Sequence, residues 1–290
     1  MFKKKIKNRN EMIAAARILN YIMLLILFIT MIVPMINVLA VSFSSKLGSM
    51  QPGIKLLPDS LTIEGYKDIW GRVQLWRPFL NSLFVTVVSI LIQVVLSSMA
   101  GYVLIQKDLP FKKLMTSLIM VTMMVPGDLT LISIYSLNKT LGLLNTYTGL
   151  IVNGLVSGFS ILLMRNYFSA VPGSLAESAR LDNTGEFKIF WRIYLPLSIP
   201  GLATVTFIEF INKWNSLMIP ITLITQQNKY TLPMLLKALV FNQASQSGVD
   251  FIAPNAIMAA IVISVIPLIL IYIFAQKFLV TGMTIGASKG

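Results

Sequence analysis

The sequence predicts an all-α protein that crosses a membrane six times and carries a polar helix pair between two of its spans. Composition is the first reason. Of 290 residues, 56% are hydrophobic and 12% charged, whereas a soluble domain is about 25% charged. Spacing is the second: six apolar stretches, each long enough to cross lipid, are separated by polar segments. The third is where the cations lie. Segments 1–17, 106–114, 165–200 and 277–290 hold fifteen lysines and arginines; 42–78, 138–146 and 224–255 hold eight. Cations collect on the cytoplasmic side, so both termini are expected there and the protein in the cell membrane. The same bias accounts for the net charge of +13, and no nucleic-acid partner is expected. No cysteine is present, which excludes disulfide and thiol chemistry. No histidine is present either, which removes the commonest metal ligand and general base, and no metal site is expected.

Residues 1–17 form a basic cytoplasmic N-terminus. Ile18 to Val41 follows without a charge. At about 1.5 Å per residue it spans a ~30 Å core with some tilt. A cleaved leader would have an apolar region of only about 7 to 15 residues, so this is read as an uncleaved first span with a kink at Pro34. Ser42 to Pro78 is polar, with prolines at 52, 58 and 78, and is expected outside; it is a basic exception to the charge rule. Within it, Thr62 to Trp70 has the pattern of a short amphipathic helix. Phe79 to Ile105 is the second span, whose Gln93, Ser97 and Ser98 are expected to bond neighbouring helices. Gln106 to Lys113 is a cytoplasmic turn. Leu114 to about Leu137 is the third span, broken by Pro126-Gly127-Asp128, where Asp128 is expected to cap freed backbone groups rather than to bind substrate. Thr146 to Phe168 is the fourth, with Asn153, Gly154 and Gly158 for close packing. Ile199 to Ile224 is the fifth and Asn255 to Phe278 the sixth. Between those two, Tyr230-Thr231-Leu232-Pro233 leads into a helix reaching Phe241. The result is one membrane domain, 18–278, and a cytoplasmic tail, 279–290.

The polar stretch 172–196 reads PGSLAESARLDNTGEFKIFWRIYLP. Ser174 with Glu177 has capping-box spacing, and a helix is expected from Leu175 to about Asp182. Small Ala176, Ser178 and Ala179 allow close approach. Asn183 tolerates the left-handed conformation that ends a helix, and Thr184-Gly185 extends the break. A second helix starts near Glu186, with Phe187, Phe190, Trp191 and Tyr194 in one stripe and Lys188 and Arg192 off it. Pro196 stops it.

These residues carry a resemblance. Glu177-Ser178-Ala179, three residues, Asn183, nine residues, then Ile193-Tyr194-Leu195-Pro196 resembles the EAA loop of ABC importer permeases: Glu-Ala-Ala, three residues, Gly, nine residues, Ile-x-Leu-Pro. Ser178 stands for Ala and Asn183 for Gly. Met124 to Ile151, Leu163 to Asp182, and Gly282-Met283-Thr284-x-Gly286-x-x-Lys289-Gly290 are similar to the carbohydrate-uptake branch of the maltose-transporter permease type, so the resemblance covers nearly the whole chain. It implies the type I permease fold. It also implies a coupling surface at Ser174, Glu177, Ser178, Ala179, Asp182, Asn183 and Gly185 that sits in a groove of a cytoplasmic ATPase. A second contact is implied at Gly282, Thr284, Gly286 and Lys289. Implied partners are a second homologous permease, two ABC ATPase subunits, an extracellular or periplasmic solute-binding protein, membrane lipid and a carbohydrate cargo. The chain has no Walker A motif, so no cofactor is expected on it; ATP and Mg would be bound by the partner ATPases.

The fifth span contains Glu209, Asn212, Lys213, Trp214 and Asn215. Intramembrane charges are costly and mark cavities or partners. Glu209 and Lys213 stand i, i+4, which permits an ion pair that ties the bundle together. The same group could instead wall a sugar pathway, with Trp214 stacking on a ring and Asn212 or Asn215 bonding hydroxyls. Other cargoes for the same architecture are a polyol or glycerol phosphate. A membrane-embedded enzyme would need a paired-carboxylate or metal constellation, which a chain without His or Cys supplies poorly. A structural assembly factor would leave the 177–196 spacing unexplained.

Overall fold

The computed structural model describes residues 2–242 and 251–287, with side chains described for 16–241 and 251–278. All regular structure among them is helical. The chain packs as two compact units, Met1–Gln74 with Leu239–Ile263, and Leu75–Ala238 with Ser264–Gly290.

In the first unit, α1 (Phe2–Ser42) runs through Pro34. Its Ala16–Ser42 part has the length and apolarity of a span, about 40 Å at the helical rise. Exposed Ile18, Leu19, Ile22 and Leu25 give it a lipid-compatible surface. A short helix, α2 (Lys46–Met50), is capped by Ser45, whose hydroxyl accepts from the Gly48 N–H at 3.0 Å. Ser45 also donates to Asp59 at 2.7 Å, and this bond holds the Asp59 carboxyl down to about 2. The expected amphipathic helix forms as α3 (Glu64–Gly71), with Ile69 fully buried. Gly65 lies against the backbone of Asn255; a Cβ there would stand 2.7 Å from its carbonyl oxygen. The Asn255 amide donates to Ser44 O at 3.1 Å, and Ser42 Oγ and Tyr66 Oη share a bond of 2.9 Å.

The second unit is built on α4 (Trp76–Ile105), a single helix of 30 residues. Next come α5 (Lys112–Met124), a 3₁₀ turn (Gly127–Thr130) and α6 (Leu131–Thr140). The break expected at Pro126-Gly127-Asp128 is there, and the two halves meet at 91°. The expected fourth span is two short helices, α7 (Tyr147–Val152) and α8 (Gly158–Ser169), parted by Asn153–Ser157. Gly154 in that gap has φ +87, a conformation glycine reaches without strain. After α8 come α9 (Gly173–Leu181), α10 (Glu186–Ile189), a π turn (Phe190–Tyr194) and α11 (Leu195–Leu197). The fifth expected span is α12 (Ile199–Trp214), then α13 (Met218–Leu223). A 3₁₀ turn (Gln227–Lys229) leads to α14 (Leu232–Asn242), the helix expected to reach Phe241. The last helix, α15 (Pro254–Ala287), begins at the expected sixth span and continues into the tail. Among the described residues three helices, Ala16–Ser42, Trp76–Ile105 and Pro254–Phe278, are long and apolar enough to cross a membrane; counting each bent pair as one span gives up to five. Helix length therefore does not by itself yield the expected six. The missing one is the α7–α8 stretch, which the break at 153–157 divides.

The centre of the second unit is α4 packed on α8 and α12. At Gly101 a Cβ would meet Arg165 N at 2.9 Å and Ile161 O at 3.1 Å, so only glycine permits this approach. Gln93, Ser97 and Ser98 are buried there, but Gln93 Oε1 and both serine hydroxyls have no hydrogen-bond partner. The expectation that they bond neighbouring helices is corrected for these three oxygens; at Ser97, Ser98 and Gly101 small size lets the helices close, as small residues do in membrane interfaces.

Candidate coupling surface and intramembrane polar site

The polar stretch folds as the expected helix–turn–helix, with its turn set by one residue. Asn183 has φ +60. Its N–H donates to Arg180 O at 3.0 Å, and the Thr184 N–H donates to Ala179 O at 3.0 Å. Those two bonds satisfy carbonyls left open at the end of α9, the pattern of a Schellman cap with Asn in the position usually held by Gly. Gly185 is extended and leads into α10, placing Glu186 in its first turn, where a carboxylate is favoured by the helix dipole. Ser174, Glu177, Ser178, Asp182, Asn183 and Gly185 are all exposed, and Ala179 is half-buried. Ala176, not Ala179, is the small residue that carries the close contact, at 1% exposure.

Two local expectations are corrected. The capping box does not form, because α9 begins two residues early, at Gly173, with Pro172 at its cap. Ser174 is then already inside the first turn. Glu177 instead receives Lys107 Nζ at 2.9 Å from the loop after α4, which lowers the carboxyl and raises the amine. The aromatic residues also do not share one stripe. Phe190 and Tyr194 are buried in a cluster with Tyr102, Phe168 and Ile189, with Tyr102 and Tyr194 centroids 4.9 Å apart. Phe187 and Trp191 stay exposed, edge to face at 6.1 Å. The π turn accounts for the split. Pro196 has no N–H to give and its ring crowds the carbonyl four residues back; the backbone widens ahead of it, so the Leu195 N–H bonds Phe190 O, five residues back. Pro196 itself is carried into α11, and the helix stops at Ser198, where α12 departs at 80°.

A second set of side chains, not foreseen from the sequence, ties this loop to the end of α4. Arg180 grips Glu186 with two nitrogens, Nε to Oε1 at 2.6 Å and Nη2 to Oε2 at 3.2 Å. Its Nη2 also donates to Gln106 Oε1 at 3.0 Å. The Tyr102 hydroxyl donates to Glu186 Oε2 at 2.5 Å. Both Arg180 and Glu186 are about half exposed, so the pair contributes only about 0–1 kcal/mol to stability. Its bidentate geometry fixes the angle between α9, α10 and α4. No spacing rule announces such a contact, because Gln106 and Arg180 are 74 residues apart.

Of the fifth-span group, Glu209 and Lys213 do not pair. Glu209, 4% exposed, accepts from the Ser160 hydroxyl on α8. Lys213 Nζ donates to Gly154 O at 2.8 Å and Asn153 O at 3.2 Å, the carbonyls at the end of α7. Trp214 is not an open stacking surface. It is 2% exposed, stacked on Phe210 at 5.7 Å and 9°, edge-on to Phe79, and its Nε1 donates to Ser264 O at 3.0 Å. Asn212 and Asn215 are exposed. Asp128 lies in the 3₁₀ turn, but no side-chain hydrogen bond caps that turn or the start of α6, so the expected capping role is corrected. In the tail, Gly282, Thr284 and Gly286 continue the backbone of α15, and Lys289 lies outside the described residues. No group of three or more acidic, His or Cys side chains suited to a metal occurs among the described residues.

Similarity to known proteins runs along the same residues. The permease protein YtcP of a polygalacturonan/rhamnogalacturonan transport system, from Bacillus subtilis, is 31% identical over 278 residues, 93% of this chain and 96% of that protein. The permease protein AraQ of an arabinooligosaccharides transport system, from Halalkalibacterium halodurans, is 28% identical over 260 residues, 89% and 91% of the two. Among solved structures, a bacterial ABC transporter involved in import of the acidic polysaccharide alginate matches with TM-score 0.82 and 26% identity, over 90% of this chain and 95% of that one. The family described as "Binding-protein-dependent transport system inner membrane component" matches residues 93–285. The chain is a multi-pass membrane protein and belongs to that family of transport permeases.

Proposed function

We propose that this chain is the permease subunit of an ATP-driven importer for a sugar or oligosaccharide, moved by its partners through the 172–196 loop. Relatives named for arabinooligosaccharides and for polygalacturonan/rhamnogalacturonan support a carbohydrate cargo. The observation that carries the coupling role is an exposed apolar face on a loop outside the long spans: Leu181 is 89% exposed and Phe187 66%. Surfaces of that kind mark protein contacts. They stand beside Glu177 and the Asn183 turn, where a partner can read both charge and shape.

In this reading two homologous permeases form the pathway, two ATPase subunits bind ATP and Mg, and a solute-binding protein delivers cargo from outside. Both termini and the 172–196 loop face the cytoplasm, as the cation bias supports. ATP and cargo then each favour one of two global states, and the loop transmits the difference. The C-terminal end of α15, with Gly282, Thr284, Gly286 and Lys289, is a second contact for the ATPases. The test is purification with mass spectrometry of co-purifying proteins, followed by cargo-stimulated ATP hydrolysis in the assembled complex. A P-loop ATPase and a second permease are expected. The Glu177→Arg variant is expected to insert normally and lose cargo-stimulated hydrolysis, because it sets two cations beside each other at Lys107 and inverts the charge offered to the partner. Normal stimulation in that variant would sink the coupling assignment.

A further inference from the structure

A cavity of about 40 Å³ lies inside the second unit, where α4, the α7–α8 break, the end of α12 and the start of α14 meet. By the volume a water needs, it holds roughly three waters; a sugar ring does not fit, but a carboxylate does. Its walls are rich in donors. Ser82 accepts from the Leu232 N–H at 2.7 Å, so its lone pair is engaged and its proton is free. Thr231 is 4% exposed and its hydroxyl has no partner. Thr86, 1% exposed, adds another hydroxyl. Lys213 reaches the cavity with two of its three N–H groups on the carbonyls of Asn153 and Gly154, which leaves one donor. No carboxylate stands within ion-pair distance of it among the described residues, since the nearby Glu209 is turned to Ser160. A cation held only by neutral carbonyls inside a bundle is costly, and an anion offsets that cost. Gly154 keeps the arrangement open, because a Cβ there would run into Lys213 Nζ.

We propose that this cavity binds a single carboxylate, that of a uronate unit on the cargo, and that Lys213 and Thr231 give the permease a preference for acidic over neutral saccharides. The proposal rests on the carbohydrate reading above. Trp214 also lines the cavity, so its fluorescence reports occupancy, and a Trp214→Phe control identifies its share of the signal. The purified permease is titrated with galacturonate, galactose, acetate and chloride. Galacturonate is expected to change the signal saturably and galactose not at all. Lys213→Met is expected to weaken galacturonate by about tenfold or more, the effect of losing a bond to a charged group. Thr231→Val keeps the side-chain volume and leaves the α7 carbonyls capped, so a loss of roughly threefold to tenfold there cannot be assigned to misfolding. Equal responses to galactose and galacturonate, no response to either, or no effect of both variants would overturn the site. Acetate or chloride binding as tightly as galacturonate would overturn the cargo assignment and leave a free-anion site. Equal uptake of acidic and neutral oligosaccharides by the complete transporter, both unaffected by Thr231→Val, would overturn the acidic preference while the importer reading stands.

Discussion

At the residue scale the 172–196 loop depends on Asn183. A left-handed conformation costs an ordinary L-residue about 1–2 kcal/mol, more where the side chain branches at Cβ, and costs glycine nothing. Asn183→Gly is therefore expected to leave thermal stability and cargo-stimulated hydrolysis within about 0.5 kcal/mol and twofold of the parent. Asn183→Val is expected to lower the stability of the loop by ~1–2 kcal/mol, read as faster limited proteolysis between Arg180 and Lys188. A proteolysis rate unchanged by Val would mean that the turn is held by its surroundings and not by its own φ. Asn183 was legible from the sequence because the conformational preference is local. The role of Ser174 was not, because a capping box depends on which residue starts the helix, and here Pro172 starts it. The place of Trp214 stayed open in the sequence for a related reason. An aromatic residue beside Asn and Lys looks like a ligand wall until the partners that bury it, Phe79, Phe210 and Ser264, are known.

At the element scale the proposed coupling role requires that a push on α9 and α10 reach α4. Packing supplies one route, through Ala176, Ile189, Phe190 and Tyr194 against Tyr102 and Phe168. Such contacts resist compression but let helices slide. The directional route is Arg180 with Glu186, Gln106 and Tyr102, whose bonds fix orientation. Arg180→Met is expected to keep the assembled complex and its basal hydrolysis while transport per ATP falls roughly fivefold or more, the scale of a modest coupling free energy. Exchanging the charges, Arg180→Glu with Glu186→Arg, is expected to recover part of that ratio, which a merely structural role would not do. Transport per ATP unchanged in Arg180→Met would assign coupling to the aromatic packing alone. The two helices themselves were readable from periodicity and turn residues. Their aromatic faces were not, because a 3.6-residue stripe assumes an unbroken α-helix and Pro196 imposes a π turn upstream.

At the scale of the whole molecule, span count and orientation are the quantities that single side chains cannot fix. Long unbroken spans were legible because hydropathy needs only length: α1, α4 and α15 appear where the apolar runs are. The broken ones were legible only in part. Pro126-Gly127 marked its own 91° bend, whereas the gap at Asn153–Ser157 looked like small residues for packing and proved to be a helix break whose carbonyls are bonded by Lys213 from another helix. If α7 and α8 together complete a crossing, the 172–196 loop and Lys67 on α3 must lie on opposite sides of the membrane. Because the chain has no native cysteine, single substitutions can be labelled without background. Ser178→Cys is expected to resist a membrane-impermeant maleimide in intact cells and to react in inverted vesicles; Lys67→Cys is expected to do the reverse. Both positions are exposed or half-exposed, so access depends on the side of the membrane and not on burial. Labelling of both positions from the same side would mean that the α7–α8 stretch does not cross and the span count is five. Labelling of Ser178→Cys from outside would remove the loop from the ATPases altogether, and with it the coupling role.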